Sequence, residues 1–178
     1  MADRTFKVKS ISVIHEMMGL PKPKHPLITL VDAKHIQVTE EDLGKKLVQE
    51  CYMISLKDKS CGMEYGRNSL DFDEGVLVFS APGQIYSPTQ VVQQGDIEGW
   101  MLYFHPDLIR NTHLGALIEE YSFFSYEVYE ALHLSEDEEN TIKQVVHHIQ
   151  SEYEQRIDNH SQRVIVNALF VLTLNMMN

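Results

Sequence analysis

Cysteine is nearly absent from this chain. Cys51 and Cys61 are the only two in 178 residues, and they form no C-x-x-C pair. A disulfide scaffold is therefore not expected. Basic residues are also in short supply, with 15 Lys and Arg against 26 Asp and Glu, a formal net charge of -11. That balance argues against direct docking on nucleic acid, which needs clustered Lys and Arg at the phosphates. It argues equally against an anionic membrane surface. No apolar run reaches the roughly 18–20 residues of a membrane span. The opening MADRTFKVKS lacks the apolar core of a signal peptide. The expected location is the cytoplasm, where both thiols stay reduced. Nucleophile and nucleotide motifs are missing too: there is no G-x-S-x-G, no P-loop and no G-x-G-x-x-G.

What remains is ordinary soluble composition, 43% hydrophobic and 23% charged. The length suits one domain, 1–178, with a real core. In SISVIHEMMG, Ile11, Ile14 and Met18 recur at helical spacing, and Gly19 is placed to close that helix. LPKPKHP then forces an extended connector, and LITLVD reads as a strand. Residues 1–46 thus hold the helix, connector and first strand. From 47 to 104 the texture is β: LVQECYMISLKD, VLVFSAPG and GWMLYFHP are apolar stretches broken by Gly and Pro turns. Short strands at intervals of about ten residues suggest a sandwich or barrel.

From 105 to 178 the texture is helical. Ser135 with Glu138 makes a capping box, and acids at 136–139 suit a helix N-terminus. Ile142, Val145, Val146, Ile149 and Tyr153 form its apolar stripe. A last helix is expected over 161–177. Between Val164 and Met177 only Asn167, Thr173 and Asn175 are polar. A helix apolar nearly all round is usually covered on more than one side. Val164, Ile165, Asn167, Ala168, Leu169, Leu172 and Met176 are the expected contacts of a homodimer, with Asn167 either a buried polar residue that fixes register or a residue facing water. The alternative is a core helix of a monomer. The apolar ending LNMMN is unlike a frayed tail, so the native protein is expected to continue.

Seven residues on the strands suit the wall of a pocket for a small organic ligand: Tyr52, Met53, Tyr65, Tyr86, Trp100, Met101 and Tyr103. Alternation puts Trp100, Leu102 and Phe104 on one face and Met101 and Tyr103 on the other. Sequence leaves open which face is inward, and plain core packing is the alternative for each residue.

The stretch DFDEGVLVFSAPGQIYS follows a plan often used to place a metal-ligating histidine after the Pro-Gly turn, yet Tyr86 stands there. A metal site in a barrel needs two or three His, often with Glu, from neighbouring strands. All nine His lie outside 36–104: His15, His25, His35, His105, His113, His133, His147, His148 and His160. A phenol with a pKa near 10 is neutral at pH 7 and a poor substitute. His147 and His148 are adjacent, about 100° apart on a helix, so they share no face. His105, before Pro106, suits a helix start, and Cys51 suits a core thiol. No metal, no cofactor and no catalytic residues are expected.

Several stretches resemble one family. GRNSLDFDEGVLVFSAPGQIY resembles the G-R…G-D-I-L-L-F-P-P-G-x-x-H hairpin in the regulatory domain of AraC-type bacterial transcription regulators. GWMLYFHPDLI is similar to its last barrel strand and helix entry. ALHLSEDEE and SQRVIVNALFVLTLN resemble its two closing helices, with Ser161 and Asn167 matching the start of the dimerisation helix. HEMMGLPKPKHPLITLVD is similar to the leader of one subgroup.

The resemblance implies an α+β, mainly β fold: a cupin-like β-barrel, or jelly roll, followed by a C-terminal antiparallel helical hairpin. It implies a small organic effector in the barrel and a homodimer through the last helix. DNA would be bound only through a following domain of two helix-turn-helix units, which is not in this chain. The alternatives are a stand-alone, metal-poor cupin enzyme, which lacks the ligands it would need, and a dimerisation scaffold with a filled barrel.

Overall fold

Side chains at the helix starts set where each helix begins. In the computed structural model, which describes residues 5–57, 63–65, 68–69, 76–124, 132–155 and 157–177, Ser10 opens α1 (Ile11–Met17) by accepting a hydrogen bond from the Val13 amide at 3.3 Å. Such a cap satisfies an amide that the helix itself leaves without a partner.

Strand β1 (Thr5–Val8) precedes that helix, and β2 (Ile28–Asp32), β3 (Lys46–Gln49), β4 (Tyr52–Lys57), β5 (Met63–Tyr65), β6 (Asn68–Ser69), β7 (Val76–Ser80), β8 (Gln84–Pro88) and β9 (Gly99–Phe104) follow it. Two short helices follow, α2 (Pro106–Ile109) and α3 (His113–Leu117), and then β10 (Leu132–His133). The chain closes with α4 (Glu136–Glu154) and α5 (Asn159–Asn175), which pack against each other.

The strands form two five-stranded sheets. One has the order β1-β3-β8-β5-β6, the other β10-β7-β4-β9-β2. All neighbours are antiparallel except β1 and β3, which run parallel. The fold is therefore α+β, two sheets with a C-terminal helical pair. The β layer is not confined to 47–104: β1 and β2 come from the N-terminal segment, and β10 follows α3.

LVQECYMISLKD, which reads as one stretch, is two strands in different sheets. β3 ends at Gln49, the chain crosses over at Glu50 and Cys51, and β4 starts at Tyr52. The stretch around the Pro-Gly turn differs in the same way. β7 and β8 do not pair with each other; the turn carries the chain from the second sheet to the first. Gly83 makes that crossing possible. Its φ is +91°, a conformation that costs a residue with a Cβ dearly. Its amide donates to the Gln49 carbonyl at 2.7 Å, tying the crossover to β3.

The second sheet is buried on both faces. Tyr52, Ile54, Leu56, Leu77, Phe79, Leu102 and Phe104 share a core with the helices. Tyr52 stacks on Phe104 with ring centroids 5.1 Å apart and meets the edge of Phe124 at 5.2 Å. The opposite face contributes Met53, Val78, Met101 and Tyr103 to a core shared with Val8, Tyr86 and α1. Each fully buried apolar side chain there is worth about 1.5–3 kcal/mol.

The helical end follows the sequence pattern closely. Ser135 and Glu138 form the capping box of α4, and Ile142, Val146, Ile149 and Tyr153 are buried. The last helix starts earlier than 161. Asp158 caps it, accepting from the His160 and Ser161 amides at 2.8 and 2.9 Å. The acidic cap, and not Ser161, sets the start.

His25 lies buried in the proline-rich connector, and its Nδ1 accepts from the Leu27 amide at 3.0 Å. Burial lowers its pKa. The unfolded chain therefore takes up a proton, below an ordinary pKa of about 6.5, that the folded chain refuses. Stability from this group is present above that pH and is lost as the pH falls through it. Asn can accept the same amide without titrating. Urea midpoints at about pH 7.5 and about pH 5.5 are expected to fall for the parent and to fall less for His25→Asn.

Candidate functional site

Strand alternation sends Leu47 and Gln49 of β3 to the side that faces the second sheet, and Lys45, just before β3, lies there too. Tyr86 and Pro88 of β8 point the same way, and Met53, Met101 and Tyr103 face them from β4 and β9. Between these side chains is a cavity of about 290 Å3. Its remaining wall comes from outside the sheets. Ile14, Met17 and Met18 of α1 and its C-cap cover one side, and Ile36, Val38 and Asp42 come from the segment joining β2 to β3.

Four of the seven residues expected at a pocket are thus brought together: Met53, Tyr86, Met101 and Tyr103. Tyr52 and Trp100 are not. They lie on the opposite face of the second sheet, in contact with the helical core. Period-two alternation makes this unavoidable, because Tyr52 and Met53, or Trp100 and Met101, cannot share a face. Tyr65 is on β5, where its backbone pairs with Tyr86 of β8, and its side chain lies outside what the structure describes. Gly62, Gly66, Cys61 and residues 71–75 lie outside the described residues. The face that sequence left open is settled: Met101 and Tyr103 look into the cavity, Leu102 and Phe104 away from it.

Tyr86 is a buried wall residue whose hydroxyl donates to Ser80 Oγ across the crossover. Among the described residues no three His, Cys, Asp or Glu side chains come together as a metal site. Cys51 is fully buried, and burial, helped by the Glu50 charge, pushes its thiol up to about 12. It stays a protonated core thiol.

The charged residues on the wall neutralise each other. Lys45 Nζ lies 2.8 Å from Asp42 Oδ1. Asp42 also accepts from the Thr39 amide at 3.0 Å and the Thr39 hydroxyl at 2.6 Å. Hydrogen bonds from Lys45 and then Thr39 hold its carboxyl near about 2. Sequence reading missed Asp42, Lys45, Gln49 and the Met17–Met18 pair. The alternation Lys45-Leu47-Gln49 carried the signal for two of them, but nothing local says which sheet face is inward.

A buried chain of hydrogen bonds stands behind α1. His15 Nδ1 lies 2.6 Å from the Pro21 carbonyl, which only accepts, so Nδ1 carries the hydrogen. Nε2 lies 2.7 Å from the Thr29 hydroxyl. Thr29 Oγ1 is 3.5 Å from the Tyr153 hydroxyl, which accepts from the Lys24 amide at 3.1 Å. The helix that walls the cavity is thereby joined through β2 to α4. This network was not legible in the sequence, since hydrogen-bonded partners in it lie up to 129 positions apart.

Five of the seven expected interface residues are used inside the chain. Ile165, Leu169 and Leu172 are 0% exposed, and Ala168 and Met176 are buried beside them. Val164 is half-buried and Asn167 exposed. The apolar residues that α5 does present outward are Val171 at 46% and Leu174 at 39%, with Met177 at 56% just beyond it. The expectation of a mostly apolar helix was sound, but its wider face belongs to the fold of the single chain. Among the described residues no helix is long and apolar enough to cross a membrane.

No protein-family model matches this sequence, and no curated protein matches it. The site therefore has to be read from its own chemistry.

Thr29→Val keeps the shape of a fully buried side chain and removes its hydroxyl. His15 Nε2 and the Tyr153 hydroxyl then lose their shared partner. The expected loss is about 1–3 kcal/mol in denaturant unfolding. An unchanged midpoint means that the network contributes nothing net.

Proposed function

We propose that this chain is the effector-sensing and pairing domain of an AraC-type transcription regulator. The single observation that carries the reading is the cavity between the sheets, with α1 on its wall and α1 hydrogen-bonded through Thr29 to Tyr153 of α4. The order of the sequence motifs, from leader to closing helices, supports it as well. In this reading the two sheets are the halves of a cupin-like roll in the cytoplasm. The cavity binds a small organic effector, and no metal or catalytic step is involved.

The mechanism follows from the connections. A ligand touching Ile14, Met17 and Met18 changes the most favourable position of α1. His15, on the same helix, passes that change to Thr29 and then to α4 and its neighbour α5. The ligand shifts the equilibrium only by its difference in affinity for the two positions. A DNA-binding segment following Asn178 is then placed differently. Two chains pair through the outward face of α5, where Val171 and Leu174 lie one turn apart.

Two experiments test this. The gene is expected to continue past codon 178 into two helix-turn-helix patterns, and a stop codon there overturns the DNA-binding part. By sedimentation the parent chain is expected to be a dimer, and Val171→Asp with Leu174→Asp a folded monomer. Leu172→Asp places a charge in the core and is expected to unfold the chain, not merely to separate the copies. A double variant that remains dimeric removes this face as the interface.

A further inference from the structure

We propose that the cavity takes a neutral aromatic molecule carrying one hydroxyl or ring N–H. The proposal rests on the cavity being the sensing site, and it names what is sensed.

Size comes first. An apolar cavity of about 150 Å3 is enough to take up benzene. At about 290 Å3 this one has room for a substituted ring or two fused rings.

The wall chemistry narrows the class further. Met17, Met18, Met53 and Met101 bring four thioethers to the cavity. Thioether sulfur is polarisable, adapts its rotamer to the guest and makes favourable contacts with ring edges. Tyr86 and Tyr103 add aromatic surface. A sugar fits poorly, because each buried hydroxyl needs its own partner and most of this wall offers none.

Charge is also decided. Asp42 and Lys45 are the charged residues among the described wall, and they pair at 2.8 Å with both side chains 39% exposed. A carboxylate or an ammonium guest buried among the rest of the wall would have no counter-charge, which is costly. The guest is therefore neutral.

The donor requirement comes from a buried atom with no partner. Gln84 is 3% exposed, and its Oε1 has no hydrogen bond. It stands directly opposite Gln49 in the β3–β8 register, and Gln49 lines the cavity. A second buried atom without a partner, Ser55 Oγ, lies on the strand position paired with Met101 of the wall. Buried acceptors left in this state are uncommon, and each costs free energy unless a partner arrives. Neither residue is itself on the cavity wall; each sits beside a wall residue, Gln49 or Met101, and a guest O–H or N–H that reaches past it supplies a partner.

The experiment is a calorimetric titration, with thermal melts, of the chain against four probes. Indole is a neutral bicycle with an N–H; indene is nearly the same shape without it. Indole-3-acetate adds a charge, and glucose replaces the ring with a polyol. Indole is expected to bind and to raise the melting midpoint with concentration. Indene is expected to bind about tenfold more weakly, and the acid and the sugar not at all. Gln84→Met is expected to bring indole down to the affinity of indene while leaving indene unchanged. Leu47→Trp fills the cavity and is expected to abolish both. If Gln84→Met does not fold, the indole–indene difference in the parent still reads the donor requirement. Equal binding of indole and indene overturns that requirement. Tighter binding of the acid or the sugar, lost in Leu47→Trp, overturns the ligand class and leaves the sensing site standing. Binding that survives Leu47→Trp, or no binding by any probe at saturating concentration, overturns both.

Discussion

The strand pair β4–β9 is buried on both faces, and almost everything else in the molecule is positioned by that constraint. In a strand covered on both sides, odd and even residues serve different neighbours. Here Tyr52, Ile54, Leu102 and Phe104 serve the helices, while Met53, Met101 and Tyr103 serve the space between the sheets. A slip of one residue in this register would exchange the two sets. It would place Phe104 and Leu102 in the cavity and the thioethers under α4 and α5. The register Ile54↔Leu102 is therefore the quantity on which both cores depend.

The two cores have different chemistry because their neighbours differ. The helical side is filled by aliphatic and aromatic groups, with Tyr52, Phe79, Phe104, Phe123 and Phe124 in edge, tilted and stacked contact. Such packing is dense and leaves little room for change. The intersheet side is built from longer, softer side chains, and it contains the cavity. Among the described residues each side carries two buried polar atoms without a partner, Ser55 and Gln84 between the sheets and Trp100 and Tyr121 toward the helices. One sheet thus separates a core devoted to stability from a space suited to a guest, and the His15–Thr29–Tyr153 chain connects the two sides around its edge.

Much of the fold was legible in the sequence where a signal is local. The capping box at Ser135, the stripe from Ile142 to Tyr153 and the closure of α1 before Gly19 all rest on contacts within a few residues. The strand-rich texture was also readable. The pairing was not: β7 and β8 look like a hairpin and are in different sheets, because the Gly83 turn can equally well cross between layers. The same limit applied to the site. Tyr52 and Trp100 carry the right chemistry for a pocket wall, but alternation points them elsewhere. Most residues of α5 expected at an interface are apolar, and the chain's own core takes five of those seven.

By itself the sequence determined the class of elements, the helix boundaries set by caps, the alternating pattern of the strands and the shortage of histidine in the β region. These are properties of residue type and near-neighbour spacing, and they are physical before any long-range contact forms. Tertiary structure alone decided which face of β4 and β9 looks inward, which glutamine is left without a partner, and how much of α5 remains uncovered. The reason is that burial and hydrogen-bond satisfaction belong to pairs of groups distant in the chain, and only the packed arrangement brings those pairs together.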